Sequence, residues 1–146
     1  IHYRDGASVR EIRPGRAGHH AKQHAFIITV RDSRHPVTAG LPVQWVHAKD
    51  ELFDSLRGPA KNLQVLATAY SDPADGGSGE HEPVLFTVLY GKGRVFHTVL
   101  GHGEEALRCA GFITTFQRGA EWAAKGKVTQ RIPDDFPRAQ EIKSRP

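Results

Sequence analysis

A chain of 146 residues holds one domain at most, and 38% hydrophobic residues with seven Phe are enough to build a core for it. The formal charge of +4 is spread through interleaved charges of both signs, with no dense Lys/Arg block alternating with aromatics, so nucleic acid is not an expected partner. A single cysteine excludes an internal disulfide and any cysteine-based zinc motif, and no apolar run approaches the ~18 residues needed to span a bilayer. No signal peptide is visible. The chain begins at Ile1 rather than Met and reads as a piece of a longer one. Its compartment is left open: cytoplasm, or periplasm if a leader precedes Ile1.

Ile1 to Gln23 is polar, rich in Arg, Gly and His, and reads as loop. It carries His19-His20, and His24 follows four residues after the second. His-x-x-x-His on a helix would be a metal geometry. Gly15 and Gly18 before it and a strand after it argue against a helix, which leaves either an exposed polar loop or imidazoles converging at a strand mouth. Ala25–Arg31 is a strand by its β-branched and aromatic content. Asp32–Pro36 turns the chain, and His35, preceding a proline, is expected to be extended and to brace the turn. Val37–Pro42 is a short connection. In Val43–Leu56 the spacing of Leu52, Phe53 and Leu56 predicts one or two helical turns. Asp50 and Glu51 would then sit at the N-terminal end, one as a cap and the other aimed into a site.

Leu63–Tyr70 is another strand. Ser71–Glu82, with Pro73, Gly76, Gly77 and Gly79, is a long loop and a candidate lid. Val84–Tyr90 and Arg94–Leu100 pair across the Gly91–Gly93 turn as an antiparallel hairpin. Gly101-His102-Gly103 then bends the chain and presents an imidazole at the carboxyl end of a core strand, where open α/β sheets hold their ligands. Glu104–Gly126 reads as one continuous helix with an apolar stripe of Cys109, Ile113, Phe116, Ala120 and Ala123. On that stripe Cys109 is a small buried hydrophobe, not a nucleophile. From Lys127 onward Pro133, Pro137 and Pro146 prevent long regular structure, and the tail is expected to wrap over the domain or a partner.

No internal repeat appears, and no Walker loop, dinucleotide fingerprint or Gly-x-Ser-x-Gly elbow, so no nucleotide cofactor is expected. The remaining chemistry belongs to histidine and carboxylate. The segments that carry it resemble the ThuA-like (trehalose utilisation) family. They are His20–Phe26, His35–Pro42, Asp50–Phe53, Tyr90–Phe96, Leu100–His102 and Arg118–Ala124, in this order.

The resemblance implies an α/β domain over residues 1–146, with loop-like extensions at 1–23 and 127–146. Its fold would be a three-layer flavodoxin-like sheet, similar to the class I glutamine amidotransferase domain, with flanking helices and a hairpin at 84–100. The chain would be the C-terminal portion of that fold, incomplete at its N-terminus. The amidotransferase cysteine elbow has no counterpart, so glutaminase chemistry is not expected. The resemblance implies breakdown of trehalose or related disaccharides, in part through 3-keto sugars, by a hydrolase or lyase. Glu51, His102 and Asp50 are its candidate catalytic groups. His24 and Arg94 are candidate substrate contacts, with Arg94 pairing Glu51 or Asp50. His20 and His102 are candidate ligands for a divalent, zinc-like metal. The expected partner is a small carbohydrate, with a homo-oligomer as the assembly left open. The alternative is a noncatalytic module that keeps the fold and binds a carbohydrate or a protein.

Overall fold

In the computed structural model, which describes residues 1–58 and 61–146, the β-branched runs become strands of one large sheet. The strands are β1 (His2–Arg4), β2 (Ala7–Val9), β3 (His19–His20), β4 (His24–Val30), β5 (Gln44–Asp50), β6 (Phe53–Asp54), β7 (Leu63–Tyr70), β8 (His81–Tyr90) and β9 (Gly93–Thr98). Two helices follow, α1 (Glu104–Arg108) and α2 (Ala110–Lys125). Among the described residues the main sheet has seven strands in the order β2-β1-β8-β7-β4-β5, with β9 also on β8. Each of its strand pairs is antiparallel. Strand β8 is long enough to take β1 at its start, through Tyr3 opposite His81, and β9 along its second half. A separate pair joins β3 to β6, with His19 opposite Asp54 and His20 opposite Phe53.

The α/β class, the four strands expected from Ala25 to Leu100 and their hairpin all hold. The protein is a mixed α/β domain with a mainly antiparallel sheet and two helices. Several local expectations do not hold. Residues 1–23 are not all loop, because β1 and β2 form a hairpin through His2–Val9 and β3 pairs with β6. The helical turns expected after Asp50 are absent: Gln44–Asp50 is strand and Phe53–Asp54 is strand. Leu52 is fully buried and Phe53 partly so, which suits side chains on alternate faces of an extended segment as well as it suits a helix. Strand β9 pairs only with β8 among the described residues, so the His102 loop leaves an edge strand rather than a central one. The loop after β7 closes on itself, with Ser71 N–H donating to Glu80 O at 2.9 Å and Gly79 N–H to Ser71 O at 2.8 Å.

The long helix is broken at Cys109, whose φ and ψ of −59° and 121° are extended, so α1 and α2 meet at an angle there. The apolar stripe is only partly buried: Cys109 is inside, Ile113 and Ala123 are half-buried, and Phe116 and Ala120 are exposed. Helix α2 buries Gly111, Thr114, Thr115, Arg118, Gly119 and Trp122, while Phe116 is 50% exposed and rests on Phe112. The helical period was legible, but its phase is set by close approach rather than by hydrophobicity. A Cβ on Gly119 would lie 2.1 Å from the Phe96 ring of β9. Arg118 adds a polar clamp: its guanidinium donates to Val37 O and Gln130 O at 2.7 Å, Pro36 O at 2.8 Å and Ala39 O at 2.9 Å. That ties α2 to the 35–42 connection and to the tail. His35 braces this turn, packed edge-on against Trp122 at 4.8 Å. The tail wraps as expected, with Val46 N–H donating to Arg138 O and Ala110 N–H to Lys143 O.

Two substitutions on α2 test its buried face. Gly119→Ala should destabilise the domain by about 1–3 kcal/mol in urea unfolding, because the added methyl has no room against Phe96. Phe116→Ala should cost less than about 1 kcal/mol, as expected for a half-exposed position. The reverse order would place Phe116 on the packed face.

Candidate functional site

The site is built around a carboxylate that never reaches water. Asp50 ends β5 and is fully buried. One of its oxygens accepts from His47 Nε2 at 2.9 Å and from Gly101 N–H at 2.8 Å. The other accepts from Glu51 N–H at 2.9 Å and His102 N–H at 3.0 Å. A buried carboxylate is costly unless its lone pairs are filled, and these four donors fill them. Asp50 is therefore not a helix cap, and its carboxylate is closed off from solvent. It fixes the backbone of two neighbouring chain segments, 50–51 and 101–102. Gly101 makes this approach possible. Its φ of 102° disfavours a side chain, and a Cβ there would lie 2.8 Å from Phe112.

The segments so fixed bring Glu51 and His102 together. His102 Nδ1 lies 2.5 Å from Glu51 Oε2, and His20 Nε2 lies 3.6 Å from the same oxygen. The Glu51 side chain is 15% exposed and that of His102 62%, so a shielded carboxylate orients an accessible imidazole. Phe53 lies between the two histidines, 5.5 Å from the His20 ring and 6.2 Å from that of His102. An open cavity of about 460 Å³ begins beside His102, walled by Phe53, Leu56, His97, Val99 and Leu100. Thus Glu51, His102 and His20 share one place, as the sequence reading expected.

Arg94 and His24 lie elsewhere. Arg94 pairs with neither Glu51 nor Asp50. Its guanidinium donates to Trp122 O at 3.1 Å and to Ala123 O and Ala124 O at 3.3 Å, closing the C-terminal end of α2. His24 stands opposite Asp50 in the β4–β5 register, but its ring serves the backbone. Nδ1 bonds Lys22 O at 2.7 Å and Nε2 lies 3.7 Å from Asp75 of the 71–80 loop.

Two imidazoles and a carboxylate are a zinc-type donor set, yet the spacing differs from coordination. Ligands on one tetrahedral zinc, at ~2.0–2.2 Å from it, are separated by roughly 3.4 Å. His102 and Glu51 are at hydrogen-bond distance instead. Among the described residues no group of three His, Cys, Asp or Glu side chains is arranged to hold a metal ion. As placed, His102 is hydrogen-bonded to Glu51, and His20 stands 3.6 Å from the same carboxylate with its Nδ1 bonded to Ala21 O.

Sequence reasoning missed the layers behind this set. His47 and Cys109 are both fully buried, and His47 Nδ1 has no nitrogen or oxygen partner. Burial pushes the Cys109 thiol up, but the His47 bond and charge and the N–H groups of Ala48 and Phe112 outweigh it and bring the thiol to about 7. Burial acts downward on His47, and its bonds to Asp50 and Cys109 raise it overall. Cys109 is thus buried, as expected, but it is more than a small hydrophobe. Below the site, Asp54 accepts from His19 Nδ1 at 3.1 Å and Ser71 Oγ at 3.2 Å. Glu82 accepts from His2 Nδ1 at 2.9 Å and Ser78 Oγ at 2.6 Å. The one signal in sequence was the number of His and acidic residues near strand ends. Nothing local said which pairs would meet.

The Cys109–His47 contact has a measurable consequence. The thiolate absorbance should titrate with a midpoint near about 7, below the ordinary 9.0. Because the folded value is depressed, this group stabilises the fold above pH 9 and that contribution is lost as pH falls through about 7. His47→Leu should move the midpoint upward, since burial is then opposed only by the N–H groups of Ala48 and Phe112. A midpoint unchanged in that variant would remove His47 as the cause. Native-state reaction with thiol reagents should stay slow, because Cys109 is fully buried.

Comparison with known proteins follows the same lines. Residues 6–123 match the family described as trehalose utilisation, ThuA. Among curated proteins no match is found. The fold superposes with a TM-score of 0.95 on the crystal structure of a protein from Parabacteroides merdae ATCC 43184 described as ThuA-like. Identity is 48%, over 99% of this chain and 54% of that one, so the chain spans about half the length of that relative.

Proposed function

The chain belongs to the trehalose utilisation (ThuA) family, and from that premise we propose that it acts on a disaccharide, with 3-keto sugars as the favoured substrates, by acid–base chemistry at the Glu51–His102 pair. The observation that carries this reading is the 2.5 Å contact between a mostly shielded carboxylate and an accessible imidazole. Glu51 accepts from Nδ1 of His102, which fixes the tautomer and leaves the other ring nitrogen as the base. In a 3-keto glycoside the ketone acidifies the neighbouring C2–H. His102 removes that proton, the electron pair forms the C1–C2 double bond, and the C1–O bond to the leaving sugar breaks. His20, 3.6 Å from the same Glu51 oxygen, would return a proton to the departing oxygen. The Phe53 ring offers an apolar face against which a sugar ring can stack. Every step uses groups of this chain, and none is routed through a metal.

The test is turnover of 3-keto-trehalose, followed by release of the free sugar. Glu51→Gln and His102→Asn should each lower the rate by ~10²–10⁴-fold, the usual worth of a positioned acid–base group. His20→Ala should cost less if solvent can supply its proton. Treatment with a chelator should leave the rate unchanged, and a loss restored by zinc would return His20 and His102 to the role of metal ligands. Saturable sugar binding without turnover by the unaltered protein would favour the noncatalytic binding module.

A further inference from the structure

A second cavity lies at the other end of β4, seven residues and about 20 Å along the strand from His24. It has a volume of about 410 Å³ and opens between the β1–β2 hairpin and the Arg31–Arg34 turn. Its lining includes Tyr3, Ser8, Arg31, Asp32, Arg34 and Gln64. Arg31 is held in place there. Its Nε donates to Thr68 Oγ1 at 2.8 Å, and its guanidinium carbon sits 4.9 Å above the centre of the Tyr3 ring. Tyr3 is itself fixed by strand pairing to Ser8 on one side and His81 on the other.

Arg31 is half-buried. Yet neither it nor Arg34 takes part in an ion pair among the described residues, unlike Arg4, Arg13, Arg108 and Arg145. Two guanidinium groups outside any ion pair among the described residues therefore line one cavity, with the Asp32 carboxylate beside them. The acidic group present, Asp32, is engaged: Oδ1 accepts from Arg34 N–H at 2.9 Å and Oδ2 from Gln64 Nε2 at 2.6 Å.

We propose that this cavity binds a small polyhydroxylated anion, a sugar phosphate or a sugar acid. Arg31 and Arg34 would hold the anionic group, for which the planar fork of a pre-positioned arginine is well shaped. Asp32, Gln64 and Ser8 supply acceptors and donors for hydroxyls, and the edge of the Tyr3 ring supplies an apolar wall. The site is separate from Glu51 and His102, and the inference does not depend on the reaction proposed for them.

Calorimetric titration of the protein with glucose 6-phosphate, glucuronate, glucose and inorganic phosphate tests this. At least one anionic sugar should saturate with Kd at or below ~1 mM, and glucose and inorganic phosphate should bind at least about tenfold more weakly. Tighter binding of glucose 6-phosphate identifies a phosphorylated ligand, and tighter binding of glucuronate a sugar acid. Arg31→Gln and Arg34→Gln should each weaken binding by about tenfold or more. Ser8→Leu changes an exposed hairpin residue and should block the cavity without disturbing the core, which keeps the test valid if Arg31→Gln fails to fold. His102→Asn should leave binding unchanged. The proposal is overturned if neither anionic sugar saturates. It also fails if binding survives both Arg31→Gln and Ser8→Leu, or if His102→Asn abolishes it.

Discussion

The buried carboxylate of Asp50 is the interaction on which the rest of the site depends. It sits in a fully buried position where an unfilled lone pair would cost on the order of 1–3 kcal/mol. The chain fills it with backbone N–H groups from two segments some fifty residues apart, at Glu51 and at Gly101-His102. Satisfying Asp50 therefore forces the end of β5 and the loop after β9 into one arrangement. The side chains that emerge from that arrangement, Glu51 and His102, are neighbours as a result. His47 and Cys109 close the network on the inner side. An electrostatic requirement of the core is thus converted into the geometry of an accessible pair.

The helices make the same point with sterics instead of charge. Packing of α2 on the sheet is governed by positions that lack bulk, Gly111 against Trp45 and Gly119 against Phe96. Of its two large buried side chains, Trp122 joins the core and Arg118 is a clamp on carbonyl oxygens. The helix can lie close to β9 because Gly119 gives way to an aromatic ring of that strand. Arg94, from the same strand, closes the helix's last carbonyls. Strand β9 is thereby fixed along its length by a hairpin partner on one side and a helix above, which steadies the loop that carries His102.

Much of the fold was legible in the sequence. Leu63–Tyr70 reads as strand at its exact observed bounds, and the hairpin around Gly91–Gly93 follows from its turn residues. Phe26 and Ile28, which lie in the expected Ala25–Arg31 strand, are core residues. The site was partly legible as well. Glu51, His102 and His20 were picked by residue type and by position near glycines and strand ends, and they do converge. Asp50 was picked as a cap or a site carboxylate and is instead buried among backbone donors, and Arg94 was given a carboxylate partner that it does not have. A residue type announces which bonds a side chain is able to make. It carries no record of which of several partners will reach it first.

The sequence by itself determined the class of fold, most of the strands, the hairpin and the family, because these rest on local periodicity, turn chemistry and short motifs. Only the tertiary structure decided that Asp50–Phe53 is extended rather than helical, because pairing of β5 with β4 and of β6 with β3 outweighs a weak local spacing preference. The same holds for the buried face of α2, whose phase answers to the ring of Phe96 on another strand. It holds again for the site. The proximity of Glu51 to His102 is set by long-range hydrogen bonds to a buried charge, and no property of either residue's neighbours in sequence encodes that distance.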